Sequence, residues 1–417
     1  MTSPKELNWP SKDSTLIPDW IYTNEDVYQL EIEKIFHGDH WNFVGLECEI
    51  PTVGDYKRSF VGPTTVIVAR AKDDSINVFE NRCSHRGVEF CRKPRGNNKT
   101  FICPLHQWSF NLKGDLQGVP FCKGVKGKGG MPEDFKFEDH GLKKLRVATY
   151  HGLIFATYSS TVESIEQYLT PEITEFLDLQ FKGKKLRVND YRRHTIKANW
   201  KVYIDNLRDT YHFQILHSYF LNFGLFKSGN TSKVILDSQR GVHSVTATKK
   251  QMAHHADFDA STIEEMLVVP TVKLNDESFL DFKYEYTADW TSFVVTVFPG
   301  FMVNRQLNGL SVRRLVPQGP NKCYLEWIML GYADDDVELK HQRMRQDNFH
   351  GPAGTITMED AEVMQFLQQG YSTSTTNNGI TLLDPNNQGG SDDNLVTEAQ
   401  IRGMYEYYKK IMEFDCD

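Results

Sequence analysis

The sequence predicts an α+β protein: a β-rich unit over residues 39–158, then a half of mixed helices and antiparallel strands over 159–417, with a helical segment at 1–38 in front. Three observations lead there. Segments such as TTVIVAR (64–70), INVFENR (76–82) and GLIFATY (152–158) are short, rich in β-branched and aromatic residues, and separated by polar turns, as strands are. Helical character over 192–220 gives way to SFVVTVF, LSVRRLVP and CYLEWIML within 292–330, which read as a run of strands. A chain of 417 residues also exceeds the roughly 250–300 at which a single core stops growing, so two domains are expected.

Taken in order, Thr23 and Asp26 form a capping-box pattern ahead of Val27, Leu30, Ile35 and Phe36, whose spacing suits an amphipathic helix ending near Gly38 and packing on the C-terminal half. The strands of the β-rich unit follow. CKGVKGKGGMPEDF (122–135) is Gly-rich and basic but lacks the residue order of a phosphate-binding loop, so it reads as a flexible loop. The stretch 370–394, rich in Gly, Asn and Ser, is too long for an ordinary connection and is expected to be a lid or locally disordered. TEAQIRGMYEYYKKIMEF (397–414) is helical, and no internal repeat is evident.

Composition narrows the function. With 47 basic and 55 acidic residues the net charge is −8, which argues against a general nucleic-acid surface and leaves small molecules and proteins as partners. The start of the chain lacks a signal-peptide pattern, and no apolar run approaches the ~18 residues of a membrane span. A cytoplasmic location is expected. Seven cysteines form no disulfide framework, so thiols are free to bind metal.

The thiols that stand out are Cys83 and Cys103. Cys83-Ser-His85 and Cys103-Pro-Leu-His106 each bring one thiolate and one imidazole to a loop tip within the β-rich unit. Zinc accepts such a set. One Cys and one His per loop fits better a two-iron, two-sulfur cluster with both thiolates on one iron and both imidazoles on the other, whose raised potential suits an electron relay. Cys48, Cys91, Cys122, Cys323 and Cys416 lack ligand-like spacing and read as free or buried thiols.

A second set lies in DNLRDTYHFQILH, which offers Asp205, Asn206, Asp209, His212 and His217, with Leu207, Tyr211, Ile215 and Leu216 available to pack inward. Five residues apart on a regular helix, His212 and His217 point ~140° away from each other, so they share a metal only if the helix is bent or bulged. Otherwise they are unrelated. Glu359, Asp360 and Glu362 open a helix carrying Val363, Phe366 and Leu367, and periodicity does not choose among them. Asp360 could equally complete a capping box begun by Thr357. His254 and His255 sit on a polar stretch and read as solvent-facing.

These motifs, CSHRG, CPLHQW and the Asn206, Asp209, His212, His217 order, resemble the large subunits of Rieske non-heme iron ring-hydroxylating oxygenases, with Leu105 standing where Tyr is frequent. The resemblance covers nearly the whole chain. It implies a Rieske domain holding a 2Fe-2S cluster on Cys83, His85, Cys103 and His106, followed by a helix-grip-like catalytic domain. There mononuclear Fe(II) is held by His212, His217 and Asp360, the last by its distance from the Gly-Pro-Ala-Gly segment at 351–354. It further implies catalytic roles for Asn206 and Asp209, the latter bridging a cluster His of one subunit and an iron-binding His of the next. A homotrimer of large subunits follows, α3 or α3β3 with a small β subunit, fed from NADH through a reductase and a ferredoxin.

Within that family IPDWIYTNEDVYQLE, KANWKVYIDN and GYADDD look closest to members acting on aromatic carboxylates. The salicylate 5-hydroxylase type comes first, through GGMPEDFKFEDHGLKKLRVA and LNFGLFKSGN, with terephthalate and anthranilate dioxygenases, which dihydroxylate, behind it. A carboxylate substrate needs a cation, since burying its charge unpaired is prohibitive. Strand alternation puts Arg313 and Arg314 on opposite faces, so one alone can look into a pocket, and Arg313 matches the Arg of the aromatic-carboxylate members. Both could instead sit in salt bridges. The competing classes are a Rieske electron carrier without oxygen chemistry, and an oxygenase that demethylates or hydroxylates neutral arenes.

Overall fold

The computed structural model describes residues 7, 9–10, 15–217, 231–249, 275–285, 290–375, 380–382 and 395–414. His254, His255, Cys416, LNFGLFKSGN and most of 376–394 lie outside them. The chain divides into two compact units, Ile35–Tyr168 and one formed by Met1–Lys34 with Leu169–Asp417.

Helix α1, Glu25–Glu31, is capped by Asn24 rather than Thr23: the Asn24 side chain accepts a hydrogen bond from the Val27 amide at 3.0 Å. Thr23 instead ends the preceding 3₁₀ turn, its hydroxyl donating to the Asp19 carbonyl at 3.5 Å, which moves the cap one residue on. The helix runs on through a π turn to Phe36, just short of Gly38.

The smaller unit holds strands β1 (Asn42–Leu46), β2 (Asp55–Val61), β3 (Thr64–Arg70), β4 (Ile76–Glu80), β5 (Arg95–Asn97), β6 (Phe101–Ile102), β7 (Ser109–Phe110), β8 (Leu116–Gly118), β9 (Lys144–Tyr150) and β10 (Leu153–Thr157). They form an antiparallel seven-stranded sheet in the order β1-β10-β9-β4-β3-β2-β5 and a three-stranded sheet β6-β7-β8. Two apolar clusters fill it. One is aliphatic, around Val44, Val66, Val68, Val78 and Ile154; the other is aromatic, with Tyr56, Phe79, Phe101, Trp108 and Phe110 packed around Cys83 and Cys103. The stretch 122–135 carries no strand or helix, as its composition suggests.

In the larger unit, helix α2 (Ile165–Phe181) kinks at Thr170, whose φ of 58° breaks the helix before Pro171. Strand β11 (Leu186–Ile196) follows, then helices α3 (Trp200–Arg208) and α4 (His212–Leu216). Residues 192–196 are therefore strand, not the start of a helix: alternating exposed charges and β-formers let Arg192–Ile196 pair with the later strand at Cys323–Trp327. Strands β12 (Thr231–Leu236), β13 (Ser244–Lys249), β14 (Ser292–Val297), β15 (Phe301–Gln306), β16 (Gly309–Pro317) and β17 (Cys323–Tyr332) complete an antiparallel sheet ordered β11-β17-β16-β15-β14-β13-β12. Helices α5 (Val337–His350), α6 (Thr355–Thr373) and α7 (Ala399–Met412) close the unit. The last turn of α6 absorbs Gly370–Thr373, so the expected lid does not begin at residue 370. No helix among the described residues is long and apolar enough to cross a membrane.

Register decides what faces the site. Thr246, Val294, Asn304 and Ser311 lie opposite one another across β13 to β16, as do Thr248, Ser292, Gln306 and Gly309. Residues directly opposite share a face, so these rows and the neighbouring row Met302, Arg313 and Trp327 form one continuous, partly polar surface.

Candidate metal centres

In the smaller unit, two loops of the same construction face each other. The Cys83 amide donates to the Val88 carbonyl at 2.9 Å and Gly87 N to Cys83 O at 2.8 Å; Cys103 N donates to Trp108 O at 2.9 Å and Gln107 N to Cys103 O at 2.9 Å. In each loop the fourth residue after the Cys is left-handed, Gly87 at φ 75° and Gln107 at φ 56°. Both thiols are buried, while both imidazoles are exposed with their Nδ1 atoms 3.1 Å apart. Trp108 stacks on His85 at 4.7 Å and 8°, which fixes that ring's plane.

Burial and the adjacent Cys103 hold the Cys83 thiol above its ordinary pKa, so a bound cation is what would stabilise the thiolate there. Soft ligands from the inside and imidazoles from the outside suit a two-iron cluster with unlike irons. Leu105, the departure from Tyr, is solvent-exposed between the ligands.

In the larger unit the spacing problem of His212 and His217 is solved by a break in the helix. Helix α3 stops at Arg208, Asp209 takes an extended conformation (φ −77°, ψ 101°), α4 restarts at His212, and His217 falls beyond its end (φ −92°, ψ 71°). Tertiary contacts hold the break: the Thr210 hydroxyl donates to the Leu395 and Thr397 carbonyls at 2.7 and 3.1 Å, and Arg208 donates to Val242 O at 2.5 Å. Tyr211 and Ile215 do not pack inward as the spacing suggests. Both are exposed, because the five-residue α4 turns His212 and Phe213, not these two, to the interior.

The imidazole Nε2 atoms of His212 and His217 lie 3.5 and 3.1 Å from Asp360 Oδ1, and the three groups have donor atoms within 4.8 Å of one another. Asp360 sits on α6, whose N-cap is Gly354. Thr357 is buried with its hydroxyl near the His350 carbonyl, so the alternative capping box does not form. Burial acts to raise the pKa of Asp360, but His212 and His217 outweigh it and hold the carboxyl well below the usual range. Burial likewise opposes charge on His212, yet Asp209 and Asp360 push its pKa up to about 9. Two imidazoles and one carboxylate converging in this way match the donor set that ferrous iron takes, with positions left open.

Each ring is braced from behind. Asp209 Oδ2 lies 3.2 Å from His212 Nδ1 while its Oδ1 accepts from the Tyr211 and His212 amides at 2.8 and 3.1 Å. Glu359 Oε2 lies 2.8 Å from His217 Nδ1, a role that the sequence reading did not give it; Glu362 is exposed. Asn206 Nδ2 stands 3.3 Å from both His212 Nε2 and Asp360 Oδ1. Asp205 turns away, accepting from Tyr22 and Tyr405 hydroxyls at 2.7 and 2.8 Å.

A pocket opens beside this centre, floored by the sheet face that carries Asn304 and Arg313. The two arginines separate as alternation requires. Arg314 pairs with Glu326, whereas Arg313, 7% exposed, stacks on Trp327 at 3.6 Å and donates to the Tyr203 hydroxyl at 3.2 Å. His350 lines the same pocket, its pKa pushed down to about 3 by burial and then by Arg313.

The domains match known families: residues 40–129 match the Rieske [2Fe-2S] domain and 183–413 the ring hydroxylating alpha subunit (catalytic domain). The chain is 40% identical over 98% of its length to the large oxygenase component of salicylate 5-hydroxylase from Ralstonia sp, covering 97% of it. It is 38% identical over 98% to the large subunit of anthranilate 1,2-dioxygenase from Burkholderia cepacia, covering 96% of that protein. Its fold superposes on naphthalene 1,2-dioxygenase from Rhodococcus sp. bound to indole with a TM-score of 0.78 at 25% identity, covering 95% of this chain and 94% of that one.

Proposed function

The chain belongs to the ring-hydroxylating oxygenase large-subunit family, with a Rieske [2Fe-2S] domain and a catalytic domain that binds mononuclear iron, and on that premise we propose that it hydroxylates an aromatic carboxylate in the manner of salicylate 5-hydroxylase. In this reading Cys83, His85, Cys103 and His106 hold the cluster, and His212, His217 and Asp360 hold the iron. When bound, the cluster supplies single electrons and the iron supplies open positions for dioxygen. The rest is the protein's own work. Glu359 accepts from His217 Nδ1 and Asp209 lies 3.2 Å from His212 Nδ1, which orients each ring and leaves its Nε2 free to hold the iron.

One observation carries the substrate class: Arg313 is a buried guanidinium that, among the described residues, forms no ion pair, with a pocket in front of it and Nε unsatisfied. A buried charge without an acidic partner is costly, and an incoming carboxylate removes that cost. The Trp327 ring behind the guanidinium holds it in place to receive one.

Partners follow from surface chemistry. Residues 82–130 carry ten Lys and Arg against Glu89 and Asp115, an excess of eight positive charges in a chain of net −8, which favours an acidic electron donor such as a ferredoxin or reductase. Ile102, Leu105, Phe121 and Val125 are exposed on the Rieske unit, and Tyr211, Ile215, Met358 and Phe366 on the catalytic unit. Apolar surface of this kind supports a trimer in which each copy covers another, with Asp209 at the contact. A small β subunit and a cytoplasmic setting complete the proposal.

The test supplies a reductase and ferredoxin and measures oxygen uptake and product on salicylate, anthranilate, benzoate and terephthalate. Arg313→Leu should raise KM for the best acid at least tenfold, since a charge-assisted pair is lost. Unchanged affinity removes the support for a carboxylate, and two rather than three irons per chain would return the protein to the electron carriers.

A further inference from the structure

We propose that Asp347 feeds protons to the oxygen chemistry of the pocket, through one water held in a small cavity between Asn304, Trp327 and His350. The proposal stands on the oxygenase activity of the family and not on the carboxylate reading of Arg313.

Ring hydroxylation consumes protons. Whether one oxygen atom or both enter the ring, each dioxygen takes up two electrons and two protons, and the electrons arrive from a donor outside the chain. The protons need a route of side chains and water to the same place. Arg313 does not give up its proton, and His350 is held neutral, so neither is a source by itself.

A source lies where helix α5 packs on the sheet. A cavity with room for about one water is lined by Asp347 and His350 of α5, Asn304 of β15, Ser311 of β16 and Trp327 of β17. Asn304 and His350 line the pocket as well, so the two spaces adjoin. Three residues of the cavity wall each carry a polar atom that is sealed from solvent and has no hydrogen-bond partner among the described residues: Asn304 Oδ1, Trp327 Nε1 and Asp347 Oδ2. Buried groups of this kind are costly unless paired, and one water satisfies all three. It accepts from the Trp327 indole and from a protonated Asp347, and donates to Asn304 Oδ1 and to His350.

The surroundings of Asp347 suit a proton store. Burial pushes its carboxyl up to about 8, against Arg192 of β11, Arg343 of α5 and Arg305 of β15, which act to lower it. It therefore holds its proton at neutral pH, while the same three cations stabilise the carboxylate left behind when the proton goes. In the transfer, Asp347 gives its proton to the water, the water passes one of its own to a ring nitrogen of His350, and the N–H proton on the other ring nitrogen leaves toward the pocket. Asp347 is then ionised and His350 neutral in its other tautomer, and uptake of one proton from solvent resets the pair.

The full-length protein, loaded with both iron centres, is compared with Asp347→Asn, whose amide keeps the shape and polarity of the site but has no acid proton. At pH 7 the infrared spectrum of the unaltered protein should show the carbonyl stretch of a protonated carboxyl that Asp347→Asn lacks, Asp205 contributing to both alike. In a single turnover of prereduced protein, with whichever aromatic compound it hydroxylates fastest, the variant should form product at least about tenfold more slowly. The unaltered protein's rate should also fall as pH rises through about 8, where Asp347 loses its proton, and the variant's should not. Identical carboxyl spectra, an unchanged single-turnover rate, or a fall with pH that persists in the variant each overturn the proposal; the water then only fills the cavity. Should Asp347→Asn fail to fold, Ser311→Val reads the same step by crowding out the water without altering any charge, and an unchanged rate in that variant overturns the proposal.

Discussion

Glu359→Ala isolates the bracing of one ligand. On the proposed ligation, His217 is held at both nitrogens by neighbouring residues of α6, Nε2 by Asp360 at 3.1 Å and Nδ1 by Glu359 at 2.8 Å, and the ring is 1% exposed. Removing Glu359 leaves a buried Nδ1–H without its acceptor and lets the tautomer change, placing the proton on the nitrogen meant for the metal. Loss of such a bracing partner typically weakens metal affinity about 10- to 100-fold, or roughly 1.4 to 2.8 kcal/mol. Glu359→Gln should fall between, since its amide oxygen can still accept. Competition between the protein and a ferrous chelator gives the affinity directly, while the visible absorption of the cluster shows that the other unit is intact. Glu362→Ala is the control, because that side chain is exposed. Equal iron affinity for Glu359→Ala and Glu362→Ala would refute the bracing argument.

In the smaller unit, Gly87→Ala puts a methyl at φ 75° and 3.1 Å from the Arg82 guanidinium, so it should cost about 1–2 kcal/mol and release the cluster at a lower temperature, followed by the bleaching of its absorption. Gln107→Gly, at the equivalent turn with φ 56°, should be neutral or slightly stabilising in the same melt. Burial pushes the Asp205 carboxyl up to about 7 despite the Tyr22 and Tyr405 donors. A carboxyl whose folded pKa lies above its unfolded value near 3.8 stabilises the fold below about pH 4, and that contribution is lost as pH rises through about 7. Against the unaltered protein, Asp205→Asn should therefore gain relative stability between about pH 4 and 7, by up to about 1.4 kcal/mol per unit in denaturant titrations; parallel curves would show that Asp205 does not titrate there.

Local chemistry made much of this legible. The thiol and imidazole pairs at 83–106 announced themselves by spacing, and the strands at 64–70 and 323–330 by composition, because both signals reside within a few residues. The strand at Leu186–Ile196 was harder. Its charged, half-solvated residues lack an apolar stripe, and its pairing partner lies well over 100 residues away. The break between α3 and α4 has no Gly or Pro to signal it; it exists because Thr210 reaches carbonyls at 395 and 397. Glu359 was likewise indistinguishable from Glu362 until helix α6 was placed, since which carboxylate meets His217 depends on the rotation of that helix. Alternation alone said that no more than one of Arg313 and Arg314 can face a pocket, and Arg314 is the one that pairs with Glu326 opposite it.

The placement of these residues also separates two tasks that could have been entangled. The proposed iron ligands come from a short irregular segment and from α6; the start of α3, the helix that leads into that segment, is tied to α6 by the Asn199 amide donating to Gln368 Oε1 at 2.7 Å. The pocket-lining residues Arg313 and Asn304 come from β16 and β15, held by continuous strand pairing that makes no use of those side chains. A rigid sheet can exchange one face residue for another without moving its backbone, so pocket chemistry can change while the ligand geometry stays fixed. The consequence is measurable. Arg313→Leu should alter acid affinity but not iron content, Glu359→Ala should alter iron affinity, and the combination of Arg313→Leu with Glu359→Ala should show additive effects within about 0.5 kcal/mol. Strong coupling between that pair would mean that the sheet face and the α6 ligands move as one body.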